Sequence, residues 1–171
     1  MSISLYDLTV VTFTRSLGNL QKWLDKAETL ATAKKFEVDT LLQARLAPDM
    51  YPLVRQVQVT CDTAKFTVAR LVDKEAPKHE DNEKTLAEVR QRINKVLTYL
   101  GTYKANDFNG AEDRRIALPW APGKWMHGGQ YVPQMALPNF YFHLTTTYDI
   151  LRHNGVDIGK MDFIGDVNIQ G

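Results

Sequence analysis

The sequence has little of what marks a secreted, membrane-spanning or nucleic-acid-binding protein. Its 171 residues include one cysteine, Cys61, so no disulfide can form within the chain. No run approaches the roughly 20 apolar residues that a membrane-spanning helix needs, and Arg15 and several threonines interrupt the N-terminal segment, which argues against a secretory signal. Lys and Arg number 21 against 20 Asp and Glu, a formal charge of +1 with no basic excess for nucleic acid. We therefore expect a soluble cytoplasmic protein that binds neither nucleic acid nor a membrane.

The chain also lacks the short motifs of several enzyme classes. It contains no phosphate-binding loop, CxxC pair, HExxH motif or dinucleotide fingerprint, and no catalytic triad is evident. Cys61 lies beside Val57 and Ala64 on an apolar stripe, so we expect a small buried hydrophobe rather than a nucleophile. The sequence leaves open whether the protein is an enzyme.

The sequence does contain a strong helical pattern. Apolar residues recur at spacings of three and four over residues 3–33, 52–72, 83–103 and 138–154, and a shorter pattern covers 37–46. Ser4 with Asp7, and Thr85 with Glu88, suit the first turns of the first and third long helices. Each long helix has one apolar stripe to bury, which predicts an all-α four-helix bundle. The length predicts a single domain over residues 1–171.

The segment from Ala105 to Gln134 differs from the rest because glycines and prolines recur along it. We expect these residues to break any helix there. Short extended candidates lie in RRIALPW and in KWM or QYVP, and APGK is suited to a hairpin turn. The prediction is a long loop or a small β-hairpin excursion before the last helix.

Three strings of residues resemble a known family. These are PLVRQVQVTCDTAKFTVARL, FNGAEDRR and LPNFYFHLTTTYDILRHNGVDIGKMDFIG, and together with the helical pattern they resemble a domain-of-unknown-function branch of the DinB/YfiT-like metalloenzyme superfamily. The resemblance covers nearly the whole chain. It implies an up-down four-helix bundle with a long crossover, often dimeric, so a homodimer is expected. Typical members hold nickel, zinc or iron with one histidine on the second helix and an HxxxH pair on the last.

This sequence carries the implied metal centre only in part. His143 matches the first histidine of the pair, but Thr147 stands four residues later and the second helix has no histidine. The oxygen or sulfur ligands available on the second helix are Asp62, Cys61 and Gln58. A mixed site of His143, Asp62 and water is therefore the predicted metal site, for Zn, Ni or Fe, and two protein ligands would hold such an ion weakly.

The predicted alternative is a polar pocket for a small ligand near His143. Its candidate residues are His143, Asp62, Lys65, Tyr148 and His127. Asp62 and Lys65 are three residues apart, so they can form an exposed ion pair, or line a pocket if Asp62 faces the bundle. His127 lies in the loop PGKWMHGG, as a plain loop residue or as a lid over a pocket. Tyr148 belongs to an aromatic cluster, which is more often core but is also able to line a pocket.

Three functions remain open at this point. The first is a bundle protein that binds a small molecule near His143. The second is a metal-dependent transferase or hydrolase with His143 as a ligand and Asp62 as a ligand or base. The third is a structural or interaction module that pairs as a homodimer through its first and last helices. A buried His143 hydrogen-bonded to a carboxylate would fit a structural role equally well.

Overall fold

The computed structural model describes residues 3–167 and 169 and is mostly helical. In chain order its helices are α1 (Thr12–Lys34), α2 (Leu53–Leu71), α3 (Leu86–Leu100), α4 (Gly128–Tyr131), α5 (Leu137–His153) and α6 (Lys160–Ile164), and its strands are β1 (Arg115–Ala117) and β2 (Trp125–His127). The four long helices α1, α2, α3 and α5 form a bundle, which confirms the predicted all-α architecture. Short 3-10 helices at Val38–Gln43 and Ala105–Phe108 lie in the connections.

Two of the predicted helix starts are capped as the sequence indicated. Asp7 Oδ2 accepts hydrogen bonds from the backbone N–H of Ser4 at 3.1 Å and from the Ser4 hydroxyl at 2.7 Å. The resulting helical segment includes a π turn at Asp7–Val11 before α1 proper. At α3, Thr85 and Glu88 form a reciprocal capping box, and Glu88 Oε2 accepts from the Thr85 N–H at 3.0 Å. Both caps supply partners for N–H groups that a helix start otherwise leaves unpaired.

The core lies where the apolar stripes of the long helices meet. α2 packs most extensively against α5 and next against α3, while α1 contacts α3 and α6. Cys61 is fully buried in α2, and burial raises the pKa of its thiol to about 12, so the expectation of an inert hydrophobe is confirmed. The largest buried apolar residues of the first and last long helices are Phe13, Leu17, Leu20, Trp23 and Phe140.

The excursion before the last helix forms the predicted hairpin. β1 and β2 pair antiparallel, with Arg115 opposite His127 and Ala117 opposite Trp125. Gly123 in the connecting turn has a φ of +78°, a conformation that glycine adopts without steric cost. The extended segments expected in RRIALPW and KWM are therefore confirmed.

The expectation that glycines and prolines break any helix up to Gln134 is wrong. Helix α4 begins at Gly128, and a π turn at Val132–Ala136 carries it into α5, so QYVP is helical rather than extended. The first helical N–H groups find partners in the segment just before β1: Gly128 N donates to Arg114 O and Gly129 N to Glu112 O, each at 2.9 Å. These long-range bonds offset the poor helix propensity of the glycines. A side chain at residue 128 would not fit, because its Cβ would lie 2.0 Å from the Ala111 carbonyl oxygen.

The glycine-rich tail after α5 also folds back on the bundle. Helix α6 lies against α1, where Trp23 Nε1 donates to the carbonyl of Asp162 at 2.9 Å and Lys26 Nζ bonds the Asp162 carboxylate at 2.6 Å. No local pattern predicted this short helix, which is held by contacts to a distant part of the chain.

Across residues 3–167 and 169, no helix combines the length and the hydropathy required to cross a membrane.

Candidate functional site

His143 is buried in the interface between α5 and α2, with 9% of its surface exposed. Its Nδ1 lies 2.7 Å from Gln56 Oε1, while Gln56 Nε2 donates to the Tyr51 carbonyl at 3.1 Å. The second bond sets the orientation of the amide, so its oxygen faces the imidazole and Nδ1 carries the proton. Burial, and then the charge of Arg55, lower the pKa of His143, which keeps the ring neutral with Nε2 unprotonated.

The residues around His143 do not fit the metal centre that the resemblance implies. α2 offers Gln56 to His143 rather than a histidine or a carboxylate, and the Thr147 hydroxyl donates back to the His143 carbonyl at 2.9 Å. Within the described part of the chain, no group of three or more His, Cys, Asp or Glu side chains is placed to hold a metal ion. One alternative was a structural His143 hydrogen-bonded to a carboxylate, and its partner is instead the amide of Gln56.

Asp62 belongs to a different polar group, on the side of α2 that faces α3. Its Oδ1 lies 2.7 Å from Arg92 Nη2 and 2.9 Å from Lys65 Nζ. Arg92 Nη1 also pairs with Asp81 at 2.9 Å and with Glu83 at 3.0 Å. The predicted pairing of Asp62 with Lys65 is therefore confirmed. The expectation that this pair is exposed is wrong for Lys65, because the Lys65 side chain, like that of Arg92, is only 2% exposed. A buried cation is tolerated here because carboxylates surround it.

The two remaining predicted site residues lie elsewhere. The Tyr148 hydroxyl donates to the Ile158 carbonyl at 3.3 Å, and its ring packs edge-on against Trp23 beside α6. His127 is on β2, where its Nδ1 lies 2.9 Å from the Asp113 carbonyl. Of the five predicted ligand-binding residues, the structure brings only Asp62 and Lys65 into contact. His143, Tyr148 and His127 each have separate surroundings.

A cavity of about 210 Å³ lies between α2, α4 and the start of α5, and we call it the Arg70 pocket. Arg70 Nη1 donates to the Tyr131 hydroxyl at 2.8 Å, and the guanidinium lies over the rings of Phe66 and Tyr131 at 5.5 and 6.0 Å from their centroids. Asn139 Nδ2 donates to Thr63 Oγ1 at 2.7 Å. The cavity is lined by Val59, Asp62, Thr63, Phe66, Arg70, Trp120, Tyr131, Met135, Ala136 and Asn139.

Of these lining residues, Asp62, Trp120 and Tyr131 were candidates for a pocket from the sequence, the last two as members of the C-terminal aromatic cluster. Two helical spacings in the sequence indicate further lining residues. Phe66 and Arg70 are four apart, so they share a face of α2, and Asn139 precedes His143 by four residues, so it lies one turn earlier on the same face of α5. The pocket is therefore one helical turn from His143.

The comparisons with known proteins agree with this fold. The chain matches the family model described as domain of unknown function DUF1993 over residues 5–164. It is similar to the crystal structure of a DinB family member protein from Shewanella denitrificans, with 51% sequence identity and a TM-score of 0.94 over 98% of this chain and 95% of that chain. Among curated proteins no match is found. The resemblance predicted from the sequence is confirmed, and this chain belongs to the DUF1993 family of DinB-like bundle proteins.

Proposed function

We propose that this protein binds a small organic anion with an apolar body in the Arg70 pocket. The observation that carries the proposal is the state of Arg70. Among residues 3–167 and 169 this guanidinium takes part in no ion pair, and its hydrogen-bond partner is the neutral hydroxyl of Tyr131. A guanidinium held over aromatic rings keeps further N–H groups free, and its planar fork matches a carboxylate.

The walls of the pocket suit an apolar body next to the charged group. Phe66, Met135 and Ala136 contribute apolar surface, and Trp120, with 55% of its surface exposed, lies at the pocket from the hairpin turn. Ligand pockets commonly combine such walls with a few fixed polar groups. The volume of about 210 Å³ lies below the roughly 300 Å³ of common ligand pockets, so the ligand we propose is small.

Asp62 lines the same pocket, but its carboxylate does not repel a bound anion. Arg92 and Lys65 neutralise its carboxylate, so it contributes acceptor oxygens rather than a net negative charge. The hydrogen-bonded pair of Asn139 and Thr63 adds neutral polar groups. The pocket thus offers one uncompensated charge, that of Arg70, which favours ligands of negative sign.

The proposal is tested by titration calorimetry with benzoate and with benzamide, which have similar shape but differ in charge. We expect benzoate to bind more tightly than benzamide. Arg70→Met should weaken benzoate binding by about tenfold or more, because a charge-assisted hydrogen bond is lost. Arg15→Met, which removes an exposed guanidinium from α1, is the matched control and should leave the affinity unchanged.

Two results would overturn this proposal. One is equal affinity, or no measurable affinity, for benzoate and benzamide in the wild-type protein. The other is an equal effect of Arg70→Met and Arg15→Met. A fluorescence titration that follows Trp120 gives an independent signal, provided that Trp120→Phe identifies its contribution.

A homodimer is a second proposal, and it is supported by exposed apolar residues on the first and last long helical segments. Val11 in the first segment is 48% exposed and Phe142 in α5 is 58% exposed. Large exposed apolar side chains are more frequent where a partner covers them. Light scattering checks this: a species of twice the 19.5 kDa chain mass supports the dimer, and a species at the chain mass removes it.

A further inference from the structure

Three aromatic side chains line the Arg70 pocket, and Trp120 differs from the other two in what its ring contacts. The Phe66 ring has Lys65 Nζ at 4.8 Å and the Arg70 guanidinium at 5.5 Å from its centroid, and the Tyr131 ring has the same guanidinium at 6.0 Å. In the part of the chain that the structure describes, neither an aromatic ring nor a cation stacks on Trp120. The indole, 55% exposed, therefore retains a ring face for a ligand.

The backbone on both sides of Trp120 is fixed by two successive turns. Ala121 N donates to the Leu118 carbonyl at 3.0 Å, which closes a turn with Pro119 and Trp120 at its central positions. Proline suits the first of these positions, because its ring sets φ near the value that the turn needs. Lys124 N donates to the Ala121 carbonyl, also at 3.0 Å, and closes the next turn. The hairpin thus presents the indole at the pocket on a constrained backbone, so less of the chain has to be ordered when a ligand binds.

The size of the cavity suits a ligand with one ring. A dry cavity of roughly 150 Å³ in another protein holds benzene. The Arg70 pocket, at about 210 Å³, therefore has room for one six-membered ring that carries a carboxylate. Because the Arg70 guanidinium lies over both Phe66 and Tyr131, a ligand whose carboxylate binds Arg70 finds its free aromatic partner in Trp120.

We propose that the ligand of the Arg70 pocket is an aromatic carboxylate whose ring stacks on Trp120 while its carboxylate binds Arg70. This inference rests on the anion binding proposed above, and it adds the chemical class of the apolar body and the residue that selects it. Stacking between two rings contributes affinity beyond the burial of apolar area. An aliphatic ring of the same size gains the burial alone. Arg70 thus selects the charge of the ligand, and Trp120 selects its aromatic body.

The test compares benzoate with cyclohexanecarboxylate by titration calorimetry at neutral pH, where both are ionised. Each has a six-membered ring and one carboxylate, but only benzoate is flat and aromatic. Cyclohexanecarboxylate has the larger apolar surface, so burial alone would favour it. We expect the wild-type protein to bind benzoate about two- to tenfold more tightly, which is the range that stacking between two rings provides.

Three variants make the test specific. Trp120→Leu keeps an apolar side chain but removes the ring, so it should abolish the preference for benzoate while both carboxylates still bind. Trp120→Phe keeps a ring and should retain part of the preference. Trp125→Leu is the matched control, because Trp125 is 43% exposed on the same hairpin but does not line the Arg70 pocket, and Arg115 lies over its ring at 4.3 Å. This control should leave the preference unchanged.

The assignment of an aromatic ligand is overturned if the wild-type protein binds the two carboxylates equally or prefers cyclohexanecarboxylate. It is also overturned if Trp120→Leu and Trp125→Leu change the ratio of the two affinities to the same extent. In both cases the proposal of an anion site stands as long as Arg70→Met weakens both carboxylates. If benzoate instead binds no better than benzamide, the anion site itself is refuted, and the aromatic ligand with it.

Discussion

The two sides of α2 bury polar groups in chemically different ways. Toward α5 the contacts join neutral groups: His143 with Gln56, and Asn139 with Thr63. Toward α3 they join full charges, with Asp62 between Lys65 and Arg92. On α2, therefore, the cost of burying polar atoms is offset in two ways: by hydrogen bonds between neutral groups and by ion pairs.

This difference affects how well each side of α2 tolerates single substitutions. A neutral hydrogen bond contributes modestly, and loss of one partner costs the desolvation of one neutral group, roughly 1–3 kcal/mol. Loss of one partner from a buried ion pair leaves a charge without compensation, at about 3–5 kcal/mol. We expect the α3 side to be the more sensitive to single substitutions and the α5 side to be the more tolerant.

The largest expected effect is that of Arg92→Ala. The 2% exposed side chain pairs with Asp62, Asp81 and Glu83, so its removal should lower the free energy of unfolding by about 3–5 kcal/mol. Urea denaturation measures the change. Arg90→Ala is the matched control on the same helix, because the partners of Arg90, Asp25 and Glu28, are 67% and 49% exposed and such pairs contribute roughly 0–1 kcal/mol. If the two variants lose the same free energy of unfolding, the α3 side does not depend on its buried ion pairs.

A smaller effect is expected for Gln56→Ala on the α5 side. The substitution leaves His143 Nδ1–H and the Tyr51 carbonyl without their partners, so we expect a loss of about 1–3 kcal/mol in the same denaturation experiment. Gln58→Ala, two residues away, is the comparison and removes contacts to Arg55 and Glu83 instead. If Gln56→Ala costs as much as Arg92→Ala, the two sides of α2 do not differ as proposed.

The smallest expected effect is on the pH dependence of stability. The unfolded chain protonates His143 near the ordinary pKa of 6.5, but burial lowers the pKa in the folded protein. The unfolded state therefore binds more protons between the two values, so the stability from neutral His143 is complete above pH 6.5 and is lost as the pH falls toward the folded pKa. The lowered pKa of His79 acts in the same window. We expect urea midpoints to fall from pH 7.5 to 5, and His143→Gln to make that slope shallower.

The carboxylates of the α3 side respond at lower pH. Burial would raise the pKa of Asp81, but its hydrogen bond from Arg55 and the charges of Arg92 and Arg55 lower the pKa below its ordinary 3.8. Its stabilisation is present above that value and is lost as the pH falls through the folded pKa. A wild-type slope between pH 7.5 and 5 that His143→Gln and His79→Gln both leave unchanged would contradict this assignment of the pH windows.

Local signals explain what the sequence could predict. The caps at Ser4 and Thr85 and the stripes of the long helices depend on neighbours within one or two turns, and they were predicted correctly. The helical state of Gly128 was not, because its N–H partner is the carbonyl of Arg114 across the hairpin. That contact exists only in the folded chain.

The candidate site was less predictable for a related reason. Gln56 and Gln58 are two residues apart, so on α2 they point about 200° from each other. Gln58 was one of the three predicted ligands on the second helix, with Asp62 and Cys61, yet Gln58 donates to Glu83 and Gln56 contacts His143. Which of two similar residues faces α5 depends on the rotation of α2 in the bundle, and no local pattern records that angle.

The π turn at Val132–Ala136 has a consequence for how this pocket can vary among relatives. A π turn holds one residue more than an α-helical turn, and successive α-helical residues differ by about 100° around the axis. Deletion of one residue there would rotate Tyr131 away from Arg70 while Asn139 and His143 kept their positions. The length of this segment thus sets the angle around the helix axis between Tyr131, before the π turn, and Asn139, after it. A single-residue insertion or deletion would therefore reshape the cavity without replacing any of its lining side chains.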